Sequence, residues 1–431
     1  MRTCLGVRVQ ILFQGGSYSE YPSANELMAV RQHGAMEYVT PPTDLDEVRR
    51  YRLKRIQDEL VRQDLAGIIL YDQLNTRYAT DSTDMQIWCS HNEARYVYVP
   101  ANSGAIIFEY GGKSLLSEGL PGIARIEKPV SFFYMSAGPT VSEKAKEWAV
   151  AMDAIIREHS GSNRRIAIDR LAPVGVQEME SLGYEVHDGF TVMEVAREIK
   201  SAGEIALMRE SISVCEDAVQ QMREALRPGI TENALWAELH RGNIAGGGEW
   251  IETRLLSSGP RTNPWFRECS MRPIEKGDMV SFDTDLVGPY GYCCDMSRSW
   301  ICDAEPDDEQ RRLYAAAYEQ IKRNMELLKP GLGYRELTEK LHPMADEFIA
   351  GRYGVAMHGV GLCDEAPAIY YPQDYDAVGY DGVFEEGMVV CVEALIGTEG
   401  GKECVKLEEQ VLITADGHEQ LTSYPLEEHW V

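Results

Sequence analysis

From Leu45 the chain takes on a helical period, because in LDEVRRYRLKRIQDELVRQD the apolar residues Val48, Leu53, Ile56, Leu60 and Val61 fall on one face. The apolar run GIILY, Gly67 to Tyr71, follows and reads as a strand. ARYVYVPA, GAIIFEY and RRIAIDR are further strand candidates, and EKAKEWAVAMDAIIREH carries a helical pattern. Residues 45–198 therefore read as one α/β domain, with no catalytic cluster visible in it. Before it, residues 1–44 are rich in Gly, Ser, Tyr and Pro and keep no period, which predicts an extended arm. Phe13, Tyr18 and Tyr21 have no core of their own there, and the arm is expected to reach toward the pocket of the partner in a homodimer.

A second domain, residues 199–431, opens on SAGEIALMRESISVCEDAVQQMREAL, with Ile205, Met208, Ile212, Cys215, Val219, Met222 and Leu226 at helical spacing. That helix stops at Arg227-Pro228-Gly229, and Thr231 is the expected N-cap of the next, ENALWAELHR. The phrase then recurs. ALRPGITENALWAEL from Ala225 matches LLKPGLGYRELTEKL from Leu327, with Leu235 and Leu239 answering Leu337 and Leu341. EKGDMVSFD (Glu275 to Asp283) likewise parallels EEGMVVCVE (Glu385 to Glu393), each placing a carboxylate at the end of a strand. Two echoes in the same order imply a duplicated half-domain, and predict two helix pairs packed on one sheet.

Composition narrows the function classes. The chain has 431 residues, of which 44% are hydrophobic and 26% charged, enough apolar material for two or three packed domains. With 42 basic against 69 acidic side chains the net charge is −27, and there is no basic cluster. A phosphate backbone or an anionic membrane surface would be repelled, which excludes nucleic acid and lipid as expected partners. No apolar run approaches the roughly 20 residues that span a bilayer. Ten scattered cysteines form no C-x-x-C pair, which fits neither a zinc knuckle nor a disulfide framework and places the protein in a reducing cytoplasm.

The chemistry lies in the acidic residues of the second domain. VSFDTDLVGPYGYCCDMSRSW sets Asp283, Asp285 and Asp295 in strand-like context, with Gly288 and Gly291 at the bend. Any one strand aspartate is ordinarily a turn residue or half of an ion pair, but three in an apolar β pattern would cost several kcal/mol each if buried unpaired. His358 in MHGVGLCDEAP, Glu393 in VVCVEAL and Glu408 in VKLEEQVLI repeat the theme, and Asp283 and Glu393 hold equivalent places in the two copies. Oxygen ligands with one imidazole and no thiolate suit a pair of divalent metals such as iron, manganese, cobalt or zinc.

These segments resemble the metal-binding segments of the pita-bread superfamily, which includes creatinase, prolidase, aminopeptidase P and methionine aminopeptidase. The resemblance implies an α/β (α+β) chain with a C-terminal pita-bread domain preceded by a creatinase-type N-terminal domain. It carries ligand roles onto Asp295, His358, Glu393 and Glu408. Where the peptidases place their first ligand this chain has Thr284, bracketed by Asp283 and Asp285. Two peptidase histidines are also missing. SSGPRTNPWFRECS has none, the chain has none between His240 and His342, and HGVGLCDEAP puts Asp364 where the second would stand. A peptidase without them lacks the donors that orient a scissile carbonyl and protonate a leaving amine.

With these departures, GGEWIETRLLSSGPRTNPWF and YGVAMHGVGLCDE resemble the DddP-type dimethylsulfoniopropionate lyases of the same superfamily. That resemblance implies a homodimer holding two divalent metals, iron above the others. The reaction it implies is β-elimination of a small zwitterionic sulfonium carboxylate, dimethylsulfoniopropionate, to dimethyl sulfide and acrylate. It further implies Asp364 as base, Tyr353 in the substrate pocket, and all three aspartates Asp283, Asp285 and Asp295 on metal. The competing expectations are an Xaa-Pro peptidase or creatinase-like hydrolase, which the missing histidines disfavour, and a non-catalytic binding module, which the retained carboxylates disfavour.

Overall fold

The computed structural model describes residues 41–431, which form one compact unit. Phe13, Tyr18, Tyr21 and the rest of the expected arm up to residue 40 lie outside the described residues. Helix α1 (Leu45–Arg62) starts at Asp44, whose carboxylate accepts from the amides of Asp46 and Glu47. Its buried face holds Val48, Leu53, Ile56 and Leu60, as the period predicts, but Val61 is 66% exposed. Arg49, Arg52 and Glu59 are buried in its place. Arg49 pairs with Asp81 at 2.7 Å and Arg52 with Glu204 at 3.4 Å, so charged side chains enter this core where partners wait for them.

Strands β1 (Gly67–Leu70), β2 (Tyr96–Pro100), β3 (Ala105–Phe108), β4 (Ile123–Glu127), β5 (Arg165–Ile168) and β6 (Glu185–Asp188) form a mixed six-stranded sheet in the order β4-β3-β2-β1-β5-β6. Helix α2 (Val141–Ser160) buries Trp148, Met152 and Ile156 in the core that also takes the stacked rings of Tyr71 and Tyr96. Helix α3 (Gly189–Arg197) leads out of this sheet and packs against α1.

Helix α4 (Ala202–Ala225) is capped by a reciprocal Ser201–Glu204 box and ends before Pro228. At α5 (Glu232–Ala245) the Thr231 hydroxyl accepts from the Ala234 amide, the cap expected from sequence. The remaining strands are β7 (Trp250–Ile251), β8 (Leu256–Ser258), β9 (Met279–Asp283), β10 (Leu286–Val287), β11 (Cys293–Cys294) and β12 (Ser297–Ile301). After them come helices α6 (Asp308–Met325) and α7 (Tyr334–Lys340), then β13 (Met357–Val360), β14 (Asp364–Ile369), β15 (Val389–Ile396), β16 (Val405–Ile413) and β17 (His418–Gln420). Among the described residues no helix is long and apolar enough to cross a membrane.

The duplication is written in the backbone. The Gly229 amide donates to the Ile274 carbonyl and the Ile274 amide to Ile230. In the second copy Gly331 donates to Phe384 and Phe384 to Leu332. Thr231 bridges Pro273 just as Gly333 bridges Val383. The expectation of one sheet beneath two helix pairs needs correction, because the strands divide into β11-β10-β7, β12-β9-β8 and β14-β13-β15-β16-β17. Two features account for the division. The chain turns at Asp285, in the left-handed region at φ 35°, which separates β9 from β10. Between β12 and β16, serine side chains replace ladder bonds: the Ser299 hydroxyl donates to the Lys406 carbonyl and accepts from the Lys406 amide.

Gly277 and Gly387 turn into the two equivalent strands at φ 85° and 90°. A Cβ at Gly277 would meet nothing within 4 Å, whereas one at Gly387 would lie 2.9 Å from the Lys200 carbonyl. Gly277→Ala is expected to destabilise by about 1–2 kcal/mol from backbone handedness alone. Gly387→Ala is expected to cost clearly more, and equal urea midpoints for the two variants would contradict this ranking.

Candidate metal centre

Period-two alternation and strand register bring the acidic residues together. On β16, Lys406, Glu408 and Gln410 share one face, and on β15 so do Cys391 and Glu393. Register sets Glu393 directly opposite Glu408, His358 opposite Cys391, and Ser297 opposite Asp283. Asp285 and Asp295 enter from the turns that follow β9 and β11. All five carboxylates are buried.

His358 lies at the middle. Its Nε2 is 3.4 Å from Asp295 Oδ2, 3.6 Å from Glu393 Oε1 and 3.3 Å from Glu408 Oε1. Its Nδ1 lies 3.0 Å from the Gly359 carbonyl, so an Nδ1–H tautomer donates there and turns the Nε2 lone pair toward the carboxylates. Two sets of ligand atoms each fall within 4.8 Å of one another: Asp295, His358, Cys391 and Glu408, and Asp283, Asp285 and Asp295. Asp295 belongs to both.

The electrostatics reflect crowded negative charge without water. Burial, reinforced by neighbouring carboxylates, raises Asp285 and Asp295 well above the usual carboxylate range. Burial also pushes Glu393 up to about 8 against the pull of Lys406. Burial opposes ionisation of Glu408 too, but Lys406 and His358 overcome it and hold that group well below the usual range. Four buried oxygens, Asp295 Oδ1, both of Glu393 and Glu408 Oε1, have no hydrogen-bond partner among the described residues, Glu393 Oε2 being met only by the Lys406 ammonium as an ion pair at 2.8 Å. Orphaned anionic oxygens around an imidazole lone pair are the donor set of a divalent cation, and the residues present fit one.

All six sequence-predicted ligands, Asp283, Asp285, Asp295, His358, Glu393 and Glu408, are thus brought to one place. Asp364 joins them at the rim, with its Oδ1 3.8 Å from His358 Nδ1 and its side chain 58% exposed. It is the first residue of β14 rather than part of a free loop, and the next residue shows why. Glu365 is buried between Arg197 and Lys200, each at 3.0 Å, and its backbone pairs with Gly359. Loss of water raises the Asp364 carboxyl, His358 pulls it down, and Glu408 adds to the rise. Tyr353 stands half-buried beside the cluster, its ring 5.4 Å from that of Phe266. Trp265, Tyr290 and Trp300 are buried, as core residues are.

Two residues were not singled out from the sequence. Cys391 brings a thiol to the cluster, and burial raises it well above its usual value. Lys406 is fully buried, and its Nζ lies 2.8 Å from Glu393 Oε2, 2.8 Å from Glu408 Oε2, 3.2 Å from Asp283 Oδ2 and 2.9 Å from Ser297 Oγ. The signal was available, since Lys406 stands two residues before Glu408 on an alternating strand.

Fold and site together point to the metallopeptidase class, and the model of metallopeptidase family M24 matches residues 206–415. Solved structures agree on the fold: the Xaa-Pro dipeptidase from Bacillus anthracis superposes with a TM-score of 0.69 at 23% identity, covering 88% of this chain and 99% of its own. Within that class the chain belongs to the dimethylsulfoniopropionate lyase DddP family. It is 44% identical over 390 residues to the protein of that name from Roseovarius nubinhibens, covering 89% of this chain and 87% of the relative. The protein of that name from Roseobacter denitrificans matches at the same identity and coverage. The Xaa-Pro dipeptidase of Pyrococcus furiosus is 30% identical over 237 residues, 54% of this chain and 65% of its own.

Divalent metal added to chelator-stripped protein is expected to raise the melting temperature, since a ligand at a hundredfold its Kd stabilises by about 2.7 kcal/mol. Asp295→Ala, which removes the residue common to both clusters, should abolish that rise. A melting temperature insensitive to manganese, cobalt, zinc and ferrous iron alike would count against the centre.

Proposed function

We propose that this chain is a metal-dependent carbon–sulfur lyase that splits dimethylsulfoniopropionate into dimethyl sulfide and acrylate. The 44% identity to two lyases of that name over most of both chains carries the reading, and the chemistry of the site supports it. Elimination needs a held carboxylate, a base over the α-carbon and room for a departing sulfide. A divalent pair bound by Asp283, Asp285, Asp295, His358, Glu393 and Glu408 would supply Lewis acidity toward the substrate carboxylate.

The remaining work falls to the chain. Asp364 accepts the α-proton, the C–H electron pair becomes the new double bond, and the C–S pair leaves with sulfur. The sulfonium cation thereby departs as a neutral sulfide and requires no proton donor. A base half open to water can then pass its proton to solvent, and a carboxyl raised toward neutrality is the stronger base. Tyr353, paired with Phe266, forms an aromatic wall for the substrate.

The finer assignments belong to the same proposal. Iron is the native metal, which the likeness to the dimethylsulfoniopropionate lyases supports and the donor set admits. The protein is a homodimer, for which the exposed Leu115, Tyr134 and Met135 offer apolar contact surface. It is cytoplasmic, which the free thiols of all nine described cysteines support. The arm occupies 1–44, the creatinase-like domain 45–198 and the catalytic domain 199–431.

Headspace assay of purified protein should detect dimethyl sulfide from dimethylsulfoniopropionate, and no amino acid should be released from an X-Pro dipeptide. The opposite pair of results would make the chain a peptidase. Asp364→Asn is expected to keep its metal and lose about 10² to 10⁴ in turnover, the usual worth of a general base. Near-normal sulfide release with full metal would remove Asp364 from that role.

A further inference from the structure

A lysine with no solvent exposure inside a metal cluster calls for a reason, because burying an ammonium is costly unless it is fully paired. Lys406 is paired in a particular way. Its contacts go to Oε2 of Glu393 and Oε2 of Glu408, while Oε1 of each faces His358 Nε2 at 3.6 and 3.3 Å. Asp283 is held on both oxygens, with Oδ2 toward Lys406 and Oδ1 accepting from the Ser297 hydroxyl. The remaining face of the ammonium lies 4.7 Å from the centroid of the Tyr353 ring.

We propose that Lys406 is a positioning residue of the metal centre, which takes the outer oxygen of Glu393 and Glu408 so that their inner oxygens are presented to the metals, and holds Asp283 beside them. Charge supports the same assignment. Five carboxylates carry one more negative charge than two divalent ions neutralise, and the ammonium supplies the difference, leaving a neutral centre for a substrate carboxylate to approach. The proposal rests on the fit of the residues to metal and not on the lyase reading, so its test needs no substrate.

The variants are Lys406→Met, Lys406→Gln and Lys406→Arg, each stripped with chelator and titrated with cobalt. Bound metal is measured by elemental analysis, and coordination by the visible spectrum of the cobalt ion. Loss of an outer-shell partner typically weakens metal binding 10- to 100-fold. The neutral variants are expected to show that loss together with an altered cobalt spectrum, and Lys406→Arg, which keeps the charge, to recover most of the affinity. Wild-type metal affinity and spectrum in either folded neutral variant would overturn the proposal. Should neither neutral variant fold, Lys406→Arg decides: retained cobalt binding supports the role, and a folded Arg variant that has lost both metals contradicts it. Sulfide release in the wild type is a separate measurement, so a failed lyase reading would leave this result standing.

Discussion

Five carboxylates buried on neighbouring strands set the terms for the rest of this structure. Glu393 and Glu408 face each other across β15 and β16, a like-charge pair that by itself weakens a sheet. Asp283 joins them from the end of β9, and Asp285 and Asp295 crowd in from the adjoining turns. Such an arrangement persists only if cations share it, and the chain supplies two, Lys406 and a protonatable His358, leaving orphaned oxygens that a metal can satisfy. The surrounding apolar strands give the folding free energy against which this local repulsion is tolerated.

The duplicated half explains how one chain assembles such a site. Each copy begins with a Gly-led turn hydrogen-bonded to the approach of its own strand, and each strand ends near a carboxylate facing the same interior. The copies have diverged where function requires it. Helix α7 is half the length of α5, with 7 residues against 14, and the segment after it rises into β13 with His358. The β13–β14 pair is then pinned by Glu365 between Arg197 and Lys200, which fixes the strand that begins at Asp364.

Periodicity and local chemistry were enough for much of the architecture. The helix at Leu45, the Thr231 start, the stop at Pro228 and the duplication follow from spacing, because caps, breakers and alternation act within a few residues, and the six candidate ligands stood out as acidic residues and a histidine in strand context. What periodicity missed depends on partners distant in sequence. Val61 lies outside, and Arg52 inside, because Glu204 and Tyr292 wait for the guanidinium some 150 and 240 residues away. The division into separate sheets rests on serine side chains between β12 and β16, which no pattern of apolar residues records. Alternation puts Lys406 on the face of Glu408 but does not say that this face is buried. Only the pairing of β16 with β15 and its packing against β12 surrounds it with three carboxylates, and burial in that company turns a surface residue type into part of the metal centre.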